Sequence, residues 1–123
     1  MHKLIVKGLP ILRDKCLRRA GYKCEISDAK HAILDVHHLL PKSVYPQYYL
    51  EMMNTVLISR LDWHVMAEDH PEEFWQEVLK HDKLADRVAW VEERRGINKY
   101  CINPDYQAQF DRLMAWESGN VFI

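Results

Sequence analysis

The chain is short of net charge, glycine and cysteine, and it has no long apolar run; each shortage removes a class of protein. Three cysteines (Cys16, Cys24 and Cys101) in 123 residues are an odd number at unrelated spacings. That argues against the disulfide framework of a small secreted domain and fits reduced thiols, so a cytoplasmic protein is expected. Four glycines and five prolines are scattered along the chain, with no Gly/Ser linker, internal repeat or low-complexity tract to divide it. No apolar stretch approaches the roughly 20 residues of a membrane span. The opening Met1 to Val6 is broken at Lys7, so no secretory signal is expected either. A formal net charge of −1 excludes a uniformly basic nucleic-acid binder.

What remains is the composition of an ordinary globular domain, 48% hydrophobic and 28% charged, long enough to bury a core without obligatory staples. A single domain over residues 1–123 is expected. Its charge is unevenly placed. Residues 1–30 hold eight basic side chains (Lys3, Lys7, Arg13, Lys15, Arg18, Arg19, Lys23, Lys30) against Asp14, Glu25 and Asp28, a balance of +5. The rest of the chain must then carry −6. Such asymmetry fits a phosphate-facing surface or a solvated helix face.

The periodicity predicts an α+β chain. Pro10 suits a first helical position, with a helix running to Gly21; Ile11, Leu12 and Cys16 face inward, and Arg13, Lys15, Arg18 and Arg19 mostly face water. Tyr22–Ile26 reads as a short strand, Ser27–Lys30 as a turn, and Ile33–Leu40 as a second strand ended by Pro41. A long connection over 41–53 suggests function. Thr55–Ile58 reads as a strand and Ser59 or Asp62 as the start of a helix bearing His64. Further helices are expected from Pro71 to about Lys80, from an Asp82 cap to Gly96, and from Asn103-Pro104 through Trp116. The carboxyl-terminal half is thus a helical scaffold.

Seven histidines are many for this length, and their placement is informative. His37 and His38 end a strand, so their side chains leave on opposite faces. One imidazole can ligate a metal while the other is free to take a proton. Leu34-Asp35-Val36-His37-His38-Leu39-Leu40-Pro41-Lys42-Ser43, followed by Asn54-Thr55-Val56-Leu57-Ile58 and Ser59-Arg60-Leu61-Asp62-Trp63-His64, resembles the signature of the HNH (ββα-metal) endonucleases. The resemblance covers roughly Tyr22 to Glu68. It implies a ββα-metal core over about 22–70 with an N-terminal helix before it and helical support over 71–116. It also implies that His37 and His64 are metal ligands, that His38 is the general base activating water, and that Asn54 completes the catalytic group by bracing the loop between the strands. Glu68, one turn beyond His64, is a possible further ligand or orienting group. Lys42 and Arg60 are candidate phosphate contacts, and Arg18 and Arg19 join them if the basic segment faces DNA.

Many HNH proteins carry two Cys-x-x-Cys pairs around a structural zinc. Here those positions read Cys24-Glu25-Ile26-Ser27 and Ser59-Arg60-Leu61-Asp62. One sulfur in four predicts no zinc knuckle, and Cys24 is read as a buried thiol. His2, His31, His70 and His81 are read as ordinary structural histidines. The resemblance implies a phage- or prophage-like DNA endonuclease acting on duplex or branched DNA as a monomer or homodimer. Mg²⁺ or Mn²⁺ is the expected ion in use, while Zn²⁺ or Ni²⁺ could occupy such a site. A catalytically silent nucleic-acid-binding module and an RNase on the same scaffold are the alternatives.

Overall fold

The computed structural model describes residues 1–30 and 32–117. Helix α1 (Lys3–Ala20) leads to strand β1 (Leu34–His38), then two 3₁₀ turns (Pro46–Tyr48 and Met52–Asn54) and strand β2 (Thr55–Ser59). A π-helical turn (Arg60–His64) continues into α2 (Val65–Asp69), followed by α3 (Pro71–Leu79), α4 (Ala85–Arg94) and α5 (Tyr106–Ala115). The architecture is α+β, with helices dominating the second half.

Helix α1 begins seven residues before the position that Pro10 suggested. His2 caps it, its Nδ1 accepting from the Leu4 N–H at 3.1 Å, and Pro10 lies inside. The apolar stripe explains this: Ile5, Gly8, Leu12 and Cys16 are buried at helical spacing. Pro10 and Val6 lie exposed, where the carbonyl deprived of its donor can be met by water. Gly8 earns its place by proximity, since a Cβ there would lie 2.7 Å from Leu50 Cδ1. Gly21 ends the helix in the left-handed region, φ 67°, with its N–H returned to Arg18.

The expected strand over Tyr22–Ile26 is not formed. Tyr22 has a φ of 59°, and the segment closes on itself as Cys24 N–H donates to Ala29 O and Asp28 N–H to Cys24 O. The consecutive Cys24, Glu25 and Ile26 are all buried in this turn. A single ladder-like bond reaches the sheet, Glu25 N–H to Leu57 O at 2.8 Å, and the Glu25 carboxylate accepts the returning Leu57 N–H at 2.9 Å. A side chain has taken the place of a strand's carbonyl.

Strands β1 and β2 pair antiparallel, with Leu34 opposite Ser59, Val36 opposite Leu57 and His38 opposite Thr55. Every residue of β2 is buried, whereas Asp35 to His38 of β1 are half-buried. Burial on both faces is why Val56-Leu57-Ile58 is an unbroken apolar run instead of an alternating one. Only β1 is left to present side chains outward.

The helical half supplies the opposing core through Phe74 and Val78 of α3, Val91 of α4, and Phe110 and Leu113 of α5. Asp82 opens a 3₁₀ turn (Asp82–Leu84) instead of capping α4 directly. Helix α5 starts at Tyr106, later than Asn103-Pro104 suggested, because the Asp105 carboxylate accepts the Ala108 N–H at 2.9 Å and so makes the stronger cap. The Lys15 amine donates to Leu113 O at 2.7 Å and to Trp116 O, closing the end of α5 against α1. Glu25 ties the remaining pieces together. Its carboxylate accepts from Arg87 Nη2 at 2.6 Å, Arg87 Nη1 at 2.9 Å and Arg19 Nη2 at 3.3 Å, joining the 22–30 turn to α4 and α1 behind β2.

Candidate metal and catalytic cleft

A cleft of about 700 Å³ opens in front of β1, lined by residues of β1, the 39–45 segment, α2, α3 and the chain beyond α4. Its floor follows from the strand period. Asp35 and His37 are two residues apart and share a face, and the π-helical turn brings His64 against both. The His37 and His64 rings lie edge to face with centroids 5.4 Å apart. Glu68, one turn on, completes a group of three whose potential ligand atoms (from His37, His64 and Glu68) lie within 4.8 Å of one another.

Asp35 fixes the orientation of His64. Its Oδ2 lies 2.9 Å from His64 Nδ1, while His64 Nε2 lies 3.2 Å from Glu68 Oε1. A carboxylate can only accept, so the Asp35 bond holds a proton on Nδ1 and leaves Nε2, which faces Glu68, as the ring nitrogen a metal ion would take once that nitrogen is unprotonated. Arg60 grips the same carboxylate with Nε and Nη2, each at 2.9 Å. That bidentate bond, helped by the His64 ring and only partly opposed by burial, holds the Asp35 carboxyl at about 2. Burial, reinforced by the neighbouring His64 and His38, lowers His37 to about 4. His37 is therefore neutral near neutrality, as ligation requires. Two imidazoles and one carboxylate within this span fit a divalent ion with open positions.

His38 also lines the cleft. Its Nε2 lies 2.8 Å from Tyr49 O, and a carbonyl oxygen cannot donate, so the proton sits on Nε2 and Nδ1 keeps its lone pair. Burial lowers its pKa, the Tyr49 bond opposing and the Lys42 charge assisting. Asn54 is fully buried and does not reach into the cleft. Its Oδ1 accepts from Leu40 N–H at 2.8 Å, and its Nδ2 donates to Leu40 O at 3.0 Å and Tyr48 O at 3.3 Å. The side chain ties both ends of the 40–48 loop.

The expected DNA contacts divide. Lys42 lines the cleft, its amine 5.3 Å from the Tyr49 ring centroid. Arg60 is engaged by Asp35 through both its Nε and Nη2. Arg19 does not face water: its side chain is 11% exposed and donates to Met52 O at 2.7 Å and Thr55 O at 3.1 Å. It lies on the inner edge of α1, next to the buried stripe. Lys15 is half-buried as well, at the end of α5. Arg18 is exposed but pairs with Asp14 at 2.8 Å, and no residue of α1 lines the cleft. The cations that do are Lys42, Arg95 and Lys99. Arg95 and Lys99 escaped the sequence reading, although Arg94-Arg95 and Lys99 form a basic patch in an otherwise acidic half. Asp35 escaped it too, although its two-residue offset from His37 was visible.

His2, His70 and His81 lie outside the cleft; His31 lies outside the described residues. Cys24 is buried, its sulfur accepting the Ser27 N–H at 3.4 Å. No helix among the described residues is long and apolar enough to cross a membrane. Comparison with protein-family models, curated proteins and solved structures gave no match.

Proposed function

We propose that the chain is a divalent-metal-dependent HNH endonuclease that hydrolyses DNA phosphodiester bonds. In this reading the β1–β2 hairpin, the π-helical turn and α2 form the ββα-metal core. One observation carries the proposal: His37, His64 and Glu68 converge within 4.8 Å in the same cleft as His38 and three cationic side chains. His37 and His64 would hold the ion, with Glu68 as a third ligand or an orienting group. When bound, the ion supplies Lewis acidity toward a phosphate oxygen and the leaving 3′ oxygen.

The chain's own residues account for the rest. His38 takes a proton from the attacking water at Nδ1, the nitrogen left unprotonated by the bond to Tyr49 O. As charge accumulates on the ring, the Tyr49 carbonyl stabilises the imidazolium. Asn54 keeps the 40–48 loop, which carries Tyr49's neighbour Tyr48, in register with β1. Lys42, Arg95 and Lys99 place the backbone phosphates without reading sequence.

The test is cleavage of supercoiled plasmid in Mg²⁺, Mn²⁺, Ni²⁺ or Zn²⁺, with structured RNA as a parallel substrate. Metal-dependent nicking that chelator and His38→Ala both abolish is the expected result. Binding without cleavage in every metal would overturn the enzymatic reading, and preferential cutting of RNA would change the substrate.

A further inference from the structure

Between α4 and α5 the chain makes an unusual loop over 95–102. Gly96, Asn98 and Tyr100 all have positive φ, at 82°, 55° and 56°. For a bulky residue such as Tyr100 this conformation is an outlier that its surroundings must enforce. The enforcing bonds come from the segment that follows His38. Gly96 N–H donates to Tyr45 Oη at 2.7 Å, Tyr100 N–H to Val44 O at 2.7 Å, and Gln47 Nε2 to Asn98 O at 2.9 Å. The loop is thus fastened to the wall of the cleft, not hung from its own ends.

Its side chains divide by chemistry. Arg95 and Lys99 line the cleft, with the Arg95 guanidinium 4.4 Å from the Trp75 ring centroid. Ile97 and Tyr100 are held in water, 53% and 67% exposed. Backbone strain at Tyr100 keeps an aromatic side chain outside the core, and the exposed Ile97 lies with it on the loop that carries Arg95 and Lys99. That combination suits an occupant with both anions and flat apolar faces. Continuous duplex offers the first and hides the second, because its bases are stacked.

We propose that loop 95–102 grips DNA at a junction between duplex and unpaired nucleotides, with Arg95 and Lys99 on phosphates and Tyr100 and Ile97 against an exposed base. The ligand class rests on the nuclease reading above; the loop's preference for unpaired DNA does not depend on cleavage. Branched, flapped or gapped DNA is the favoured ligand, and continuous duplex the poorer one.

The test measures binding in EDTA, by fluorescence anisotropy, of a labelled duplex and of the same duplex carrying a single-stranded flap. The wild type is expected to bind the flap about tenfold more tightly, the scale of one stacked base. Tyr100→Asn with Ile97→Ser should bring flap affinity down to that of the duplex, and Tyr100→Phe should keep the preference. Asn tolerates positive φ and retains the N–H to Val44, so a thermal melt should show the double variant folded. Equal wild-type binding of the two DNAs, or a preference that survives in the double variant, overturns the proposal. Plasmid cleavage without flap preference would sink this inference alone; flap preference without cleavage in any metal would sink only the nuclease reading.

Discussion

The Asp35 carboxylate stands between Arg60 and His64, accepting from both at 2.9 Å. It therefore decides which nitrogen of His64 is free, and Arg60 decides where the carboxylate sits. Asp35→Asn should weaken binding of Mn²⁺ or Ni²⁺ by about 10- to 100-fold, measured by titration calorimetry. Much of the lost cleavage should return at saturating metal. A change in activity with metal affinity untouched would place Asp35 outside this role.

Arg60 is tested by the same logic. As a positioning residue it should lower metal affinity on Arg60→Ala, in the direction of Asp35→Asn, and leave the salt dependence of DNA binding near that of the wild type. A phosphate contact would instead reduce the salt slope by about one. Removing both Asp35 and Arg60 should cost little more than removing Asp35 alone, because the second acts through the first.

Asn54 offers a stability test separate from chemistry. Asn54→Ala leaves the buried Leu40 N–H and Leu40 O without their side-chain partner and takes from Tyr48 O one of its two donors. About 2–4 kcal/mol of destabilisation is expected from the orphaned groups. Asn54→Asp keeps an acceptor for Leu40 N–H but sets a carboxylate against the Leu40 and Tyr48 carbonyls. It should therefore be no milder. Urea denaturation of both variants checks the ordering; a neutral Asn54→Asp would mean the amide donor contributes nothing.

How much of this was open to reading can be traced residue by residue. His37, His38, Asn54 and His64 could be singled out in the sequence because their order along strand, loop and helix start resembles the HNH signature. Strand Thr55–Ser59 was legible within one residue from its own apolar run. The start of α1 was not, because proline signals a helix start in general while burial of Ile5 and Gly8, a tertiary fact, extends this helix past it. The Tyr22–Ile26 segment misled because a short stretch of strand-prone residues can be buried in a closed turn as readily as in a strand. Arg19 misled by its charge. The carbonyls of Met52 and Thr55, 33 and 36 residues on, cover this edge of α1, and that is a tertiary fact.

The Glu25 cluster links stability to pH. Burial alone would raise this carboxyl, but the Arg87 hydrogen bond and the charges of Arg87 and Arg19 outweigh it and hold it below its ordinary value of 4.5. A carboxylate depressed on folding stabilises the fold fully above its unfolded pKa, and that contribution is lost as pH falls through the folded value. Wild-type melting temperature should thus drop on acidification below about pH 4.5, and the drop should be shallower in Glu25→Gln. At neutral pH Glu25→Gln should cost about 3–5 kcal/mol, because two guanidinium groups remain buried without their counter-charge. Parallel pH profiles for the two proteins would remove Glu25 from the account.

The cations of the cleft and those of α1 make opposite predictions for DNA binding. Lys42, Arg95 and Lys99 line the space in front of His37 and His38, so Lys42→Ala, Arg95→Ala and Lys99→Ala should each weaken binding and reduce the salt slope by about one. Arg95→Ala should cost more than charge alone, since its guanidinium also packs over Trp75. Arg18→Ala should leave both quantities near wild type: the side chain is paired with Asp14 on a helix that contributes nothing to the cleft. Its loss should also change stability little, as exposed helical ion pairs rarely exceed about 0.5 kcal/mol. If Arg18→Ala flattens the salt dependence while Lys99→Ala does not, DNA approaches from the α1 side. The basic amino-terminal segment would then be the binding face, and the cleft would receive only the phosphate that is cut.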